Sequence, residues 1–403
     1  MNNTTADARL SVTSVHKTDE RPGHWGGVYS MTLCVFALIA SEFMPVSLLT
    51  PLANDLHVSE GLAGQGLAIS GAFAVLTSLA ISGLAGSVNR KKLLLALTGL
   101  MAVSGAVVAL APNYLIYMVG RALIGVVIGG FWSMSAATAM RLVPSTQVPR
   151  ALAIFNSGNA LATVIAAPLG SYLGSVVGWR GAFFCLVPVA LVALAWQWIS
   201  LPSMPAQKRS PGSGNLLRML RNRTVALGMV ASGLFFMGQF ALFTYLRPFL
   251  ETVTQVNVTT LSLLLLAIGV AGLCGTMLIG AILKRSLYAT LSVSSILMAV
   301  IALALIPAGT WIFAVAVLLG LWGFIATAAP VGWWSWIAVA MPNDAEAGGG
   351  LMVAIVQLSI AVGSTLGGVM FDSLGYQSTF IASAAMLILA ALLTALTARS
   401  RNT

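Results

Sequence analysis

The stretch Val35-Phe36-Ala37-Leu38-Ile39-Ala40-Ser41-Glu42-Phe43-Met44-Pro45-Val46-Ser47-Leu48-Leu49 is apolar along nearly its whole length and carries one charge, Glu42. The apolar run it belongs to covers about thirty residues, and about twenty suffice for a helix to cross a bilayer. A carboxylate in the middle of such a helix costs roughly 2.5–3.5 kcal/mol on insertion scales, so an acid there marks a functional site. Of the ten acidic residues in the chain, only Glu42 reads as lying deep in a span. An acid near a helix end that reaches water is the competing reading. The apolar residues on both sides of Glu42 argue against it.

Composition extends this reading to the whole chain. Hydrophobic residues make up 58% and charged residues 7%, against about 25% charged in a soluble domain. That balance predicts an all-α membrane protein, because the strands of a β-barrel would alternate and these runs do not. The formal net charge is +10, but no basic stripe with interleaved aromatics points to a nucleic acid partner. Cys34, Cys185 and Cys274 fall inside apolar runs, with neither a disulfide framework nor metal-ligand spacing. His16, His24 and His57 lie outside or at the edges of the runs. Residues 1–24 are polar with no apolar core, so the first span is expected to serve as the targeting signal.

Twelve apolar spans follow from hydropathy: 26–53, 61–86, 92–111, 113–140, 150–177, 180–201, 223–250, 259–283, 286–307, 311–340, 346–371 and 376–398. The predicted organisation is a tail (1–25), a six-helix half (26–201), a central loop (202–222), a second six-helix half (223–398) and a short tail (399–403). The central loop holds Pro202, Pro205, Pro211, Gly212 and Gly214 with Lys208, Arg209, Arg218 and Arg221. With the N-terminus inside, Arg9, Lys17, Arg21, Arg90, Lys91, Lys92, Arg141, Arg150, the central-loop cations, Arg223, Lys284, Arg285, Arg399 and Arg401 are all cytoplasmic. The outer loops then keep only Arg180 and Arg247, so both termini are expected in the cytoplasm.

An internal repeat supports the division into halves. Leu169-Gly170 through Gly178-Trp179-Arg180-Gly181-Ala182-Phe183 recurs as Leu366-Gly367 through Gly375-Tyr376-Gln377-Ser378-Thr379-Phe380 at a constant offset of 197. Each copy runs from the end of a fifth span into the start of a sixth. Two parallel six-helix repeats with a site between them near the midplane is a transporter architecture.

Several residues then stand out. Arg121 lies roughly 10 Å below the outer surface at 1.5 Å per residue, a depth similar to that of Glu42. Opposite charges at one depth in low dielectric favour pairing, and the bland alternative is an Arg that snorkels to the interface. Gly125 and Gly129, with Gly158, Gly170, Gly174 and Gly178, recur at spacings that let helices approach closely. Gln239, Phe240, Thr244, Tyr245, Trp333, Trp336 and Gln357 offer aromatic faces and hydrogen bonds suited to a flat, polar, uncharged ring. Interface anchoring or lipid contact would explain the same aromatics. Trp333 and Trp336 share a helix face, and Trp334 points elsewhere. Arg90 and Lys91, after Asn89, fit either plain topology or a cytoplasmic gate. No Walker A sequence is present, and Gly64-Gln65-Gly66 lacks the strand that a phosphate loop needs. Neither ATP-driven transport nor an enzyme is indicated.

The two six-span halves, the Arg121/Gly125/Gly129 pattern, Ala167-Pro168-Leu169-Gly170 and Gly178-Trp179-Arg180 resemble the major facilitator superfamily, in particular its drug/proton antiporter branch. Glu42 through Pro51, Gly129 through Ala136, Met140 through Pro144, Gly238-Gln239-Phe240-Ala241, Phe243-Thr244-Tyr245, Pro330 through Trp333, Trp336-Ile337 and Gln357-Leu358 are similar to segments of bacterial purine ribonucleoside exporters within it. One departure is visible: Gly86 and Asn89 stand where the superfamily usually has a Gly and an Asp before the basic pair. The resemblance implies a proton-driven, monomeric exporter of purine ribonucleosides such as inosine or guanosine in the bacterial inner membrane. Its partners would be nucleoside, protons and lipid, with the proton gradient in place of a cofactor. Glu42 and Arg121 would couple protons, and Phe131, Trp132, Asn159, Gln239, Phe240, Thr244, Tyr245, Trp333, Trp336 and Gln357 would meet substrate. Export of sugars or hydrophobic drugs, and uncoupled facilitation, are the alternatives.

Overall fold

A computed structural model describes residues 23–84, 88–205, 221–341 and 345–400. The expected N-terminal tail, most of the central loop and the last residues fall outside them. Every described regular element is a helix, and twelve are long and apolar enough to cross a membrane. Lipid cannot satisfy backbone groups, so each crossing segment satisfies its own within a helix.

In chain order the helices are α1 (Trp25–Ser47), α2 (Leu49–Leu56), α3 (Glu60–Leu84), α4 (Arg90–Ala109), α5 (Tyr114–Trp132), α6 (Ser135–Arg141), α7 (Val148–Val176), α8 (Gly178–Phe184) and α9 (Leu186–Ser200). They continue with α10 (Arg223–Phe243), α11 (Leu246–Thr252), α12 (Val258–Leu283), α13 (Leu287–Ala308), α14 (Ile312–Ala340), α15 (Ala345–Leu374) and α16 (Tyr376–Ser400).

Asparagine sets several starts. The Oδ1 atoms of Asn89, Asn113, Asn222 and Asn257 accept from Lys91, Ile116, Thr224 and Thr260 N–H at 2.9, 3.0, 2.9 and 2.9 Å. Each bond fills an N-terminal donor that the helix itself leaves open.

The long spans read from hydropathy are broken in four places. The first ends at Ser47 and restarts as α2, because Pro45 has no N–H and the Ser47 hydroxyl bonds back to the Met44 carbonyl. The fourth ends at Trp132 and resumes as α6, the sixth is interrupted at Cys185 between α8 and α9, and the seventh breaks between Phe243 and Leu246. Hydropathy reads through these breaks because the linking residues remain apolar or uncharged.

Packing divides between the halves. One core gathers Phe131, Phe155 and their neighbours from the first half, and another gathers Trp322, Trp333, Trp336 and Phe235 from the second. A third core, at the end away from the termini, joins Leu48, Leu52, Tyr117, Trp179 and Phe183 to Tyr245 of the opposite half. The halves meet where α3 runs along α15 and where α7 runs along α12.

Gly129 lets α5 lie against α3, since a Cβ there would fall on the Ala74 carbonyl. Gly129→Val should lower unfolding free energy by about 1–3 kcal/mol through overpacking, read as a lower melting temperature in detergent. Gly280, with nothing within 4 Å of an added Cβ, is the control: Gly280→Ala should match the wild type.

Candidate functional site

The site is built around the kink in α1. A proline has no N–H, so Pro45 leaves the Ser41 carbonyl without its usual partner four residues on. Arg121, fully buried on α5, fills the gap: Nη1 donates to Ser41 O at 2.7 Å. Its Nη2 donates to Glu42 O at 3.0 Å and Ser70 Oγ at 3.2 Å, and Nε to Gly66 O at 3.1 Å. The guanidinium therefore ties α1 and α3 to α5.

This corrects the expected ion pair. Arg121 reaches the backbone of Glu42 rather than its carboxylate, because its donors are taken by carbonyls and a hydroxyl. The Glu42 carboxylate, 4% exposed, instead accepts at Oε1 from Gln357 Nε2 of α15 at 3.2 Å. That bond crosses between the halves. Phe43, next to Glu42, stacks on Phe240 of α10 at 5.6 Å between centroids, also across the interface. Gln65 Oε1 accepts from Thr365 Oγ1 at 2.9 Å in the same seam. Phe43, Gln65 and Thr365 escaped the reading of the sequence, since nothing local marks a Phe, a Gln or a Thr as an interface contact.

The other expected site residues divide by environment. Thr244 and Tyr245 do not keep their hydroxyls free, because α15 packs against them. Thr244 shares a hydrogen bond with Ser364 at 3.0 Å, and Tyr245 donates to Ser364 O at 2.8 Å. Phe131 stacks on Phe155, and the half-buried Trp132 meets that ring edge-on. Asn159 is half-buried on α7. Trp333 and Trp336 lie inside the second core, 1% and 0% exposed, with ring centroids 6.1 Å apart. Their indole nitrogens, Gln239 Oε1 and Gln357 Oε1 are buried without a hydrogen-bond partner. Near Arg90 and Lys91, bonds stay within the first half. Asn89 Nδ2 donates to Ser203 Oγ at 2.7 Å, and Arg90 N donates to Met204 O at 2.9 Å.

Away from the termini the halves are latched. Asp372, at the end of α15, accepts from Ser59 Oγ at 2.5 Å and from Gly61 N at 3.0 Å. A carboxylate from one half thus caps the N-terminus of α3 in the other, where the helix dipole favours negative charge. Gly61 is required there because a Cβ would meet the Gly368 carbonyl at 2.7 Å. Arg247, read from the sequence as an outer-loop cation, is buried. It donates to the Ser47 carbonyl and pairs with Glu251 at 2.8 Å. Within the first half, Arg180 hydrogen-bonds to Asp55 and holds that carboxyl below its ordinary range, while Trp179 Nε1 adds a bond at 3.2 Å. That contribution to stability is present above the usual Asp titration and fades as pH falls through the lowered value.

A double-mutant cycle tests the link between Pro45 and Arg121. Arg121→Gln should cost at least about 1–3 kcal/mol by stranding buried carbonyls. Pro45→Ala restores an N–H for Ser41 O, so the same substitution should cost measurably less in that background. Additive melting shifts in detergent would contradict the arrangement.

The comparisons with known proteins agree with this architecture. The family model described as Major Facilitator Superfamily matches residues 31–363. The chain is 66% identical over 391 residues to "Transcription regulatory protein OpdE" of Pseudomonas aeruginosa, covering 96% of this chain and 97% of the relative. It is 38% identical over 372 residues to "Purine ribonucleoside efflux pump NepI" of Salmonella enteritidis, covering 92% and 94%. Among solved structures, a POT family transporter bound to a peptide conjugate superposes with a TM-score of 0.76 over 94% of this chain and 97% of the other. At 14% identity that likeness concerns the fold alone. With its twelve apolar helices, the chain is a multi-pass membrane protein and belongs to the Major Facilitator Superfamily.

Proposed function

We propose that this chain is a proton-coupled exporter of purine ribonucleosides, such as inosine and guanosine, in a bacterial inner membrane with both termini cytoplasmic. One observation carries the reading: a membrane-buried carboxyl in one half, Glu42, is held by an amide from the other, Gln357. Rocking the halves makes or breaks that contact and changes what solvates the carboxyl. Such a group takes up a proton on one side of the membrane and gives it up on the other. Arg121, anchored on α1, keeps the carboxyl at one depth.

The clustering of cations at the terminus end supports the orientation. In that orientation the Asp372 latch seals the outer end, and Arg90 and Lys91 serve the inner gate. The name of the Salmonella relative supports the substrate class. So does the chemistry: Gln239 and Gln357 hold unpaired amide oxygens, and Phe240, Phe131, Trp132, Trp333 and Trp336 supply ring faces, with Asn159 as a further polar contact. Substrate contacts by Thr244 and Tyr245 would require their bonds to Ser364 to open.

The name of the Pseudomonas relative favours a second reading, an effect on transcription. A transporter that sets the internal level of a regulator's ligand achieves this without touching DNA.

Proteoliposomes of the purified protein test the first reading. A pH gradient should concentrate labelled inosine, and Glu42→Gln should lower that accumulation at least about tenfold, the loss expected when one proton-transferring group is removed. Undiminished accumulation by the variant would remove Glu42 as the carrier. A gradient that moves sugars or cationic dyes but no nucleoside would replace the substrate.

A further inference from the structure

We propose that Gln357 is the residue that translates the protonation state of Glu42 into substrate affinity, by presenting opposite ends of its amide to the lactam N–H of a 6-oxopurine. This inference rests on the reading of the chain as a nucleoside exporter and names the group on the substrate that is sensed.

An ionised carboxylate only accepts hydrogen bonds, and a primary amide carries two donors on nitrogen and an acceptor on oxygen. With Glu42 ionised, Gln357 must turn its nitrogen to the carboxylate, and Nε2 lies 3.2 Å from Oε1 of Glu42. The amide oxygen then points away from Glu42. It is buried, on a side chain only 6% exposed, and has no hydrogen-bond partner among the described residues. A buried acceptor left unpaired calls for a donor from a ligand or a water.

When Glu42 takes a proton, its hydroxyl becomes a donor and the amide oxygen is the better partner. A half-turn of the amide satisfies it, and the outward-facing atom becomes Nε2. The site has changed from acceptor to donor without any helix moving.

Only a ligand group of fixed polarity can sense that change. A ribose hydroxyl both donates and accepts and rotates freely, so it meets either end of the amide. The N1–H of a 6-oxopurine only donates and is held in the ring plane. It pairs with the amide oxygen and is opposed by the amide nitrogen. Proton and nucleoside then exclude one another at Gln357 without sharing an atom, which is the condition for exchange.

Among the described residues, no cation hydrogen-bonds to or ion-pairs with the carboxylate. From α5, Arg121 is spent on the carbonyls of Ser41, Glu42 and Gly66 and on Ser70 Oγ. From α11, Arg247 is engaged with Ser47 O and Glu251. From α3, Gln65 is bonded to Thr365. Among the described residues of α7, Arg150 is exposed at the far end, over the Trp25 ring.

Equilibrium binding of inosine and 1-methylinosine to the purified full chain, measured across pH 5 to 8, tests the proposal. The methyl group removes the lactam donor and leaves the ribose intact. The wild type should prefer inosine at least about tenfold at the alkaline end, the discrimination typical of one buried hydrogen bond, and the preference should shrink towards the acid end. Gln357→Leu should bind both nucleosides equally at every pH. Equal binding of the two by the wild type, or a preference independent of pH, would overturn the role of Gln357 while leaving nucleoside transport standing. Failure to bind either nucleoside would overturn the functional reading and this inference together. The wild-type comparison decides the matter even if the variant does not fold.

Discussion

A carboxyl group in a bilayer must be neutral, or its charge must be met by hydrogen bonds from the protein. At Glu42 a hydrogen bond to the carboxyl comes from across a seam. The carboxyl belongs to α1 in the first half, and its donor, Gln357, belongs to α15 in the second. In the proposed mechanism the relative position of the halves and the state of the carboxyl are one variable. The rest of the architecture serves to hold the two groups at one depth and to allow them to part.

Two devices do the holding. Pro45 frees a carbonyl on α1, and Arg121 spans the gap from α5, so the helix that carries Glu42 is fixed within its own half. The latch beyond it is built differently. Asp372 caps α3 from the opposite half, Tyr245 donates across the seam to Gly61 O at 3.4 Å, and Gly61 permits the approach. The bonds from Asp372 and Tyr245 meet the first turn of α3, where the backbone has groups to spare, and Tyr245 is also packed into the apolar core that joins the halves there.

Most of the fold was legible in the sequence because lipid imposes it. Length and hydropathy find twelve spans, and an acid in an apolar run announces Glu42. The breaks in the first, fourth, sixth and seventh spans were hidden, since the linking Leu48, Ser133-Met134, Cys185 and Thr244-Tyr245 carry no charge. The site was less legible. Gln357 drew notice as one amide among several polar groups, but its partner lies 315 residues away and is set by how α15 packs on α3. Arg247 looked like a topology signal because charge counting does not see a short helix folded inward. Thr244 and Tyr245 looked available because their partner, Ser364, is defined only by packing. Arg121 had the right depth, yet the missing N–H of Pro45, not the carboxylate, explains where its guanidinium goes.

If the charge of Glu42 is tied to the binding of nucleoside, binding must move protons. The most direct measurement is proton release on adding inosine to the purified protein in weakly buffered detergent solution, followed with a pH-sensitive dye. The account predicts a saturable change in proton occupancy that follows inosine binding and is absent in Glu42→Gln. Inosine binding with no proton movement, or proton movement that survives in Glu42→Gln, would contradict it.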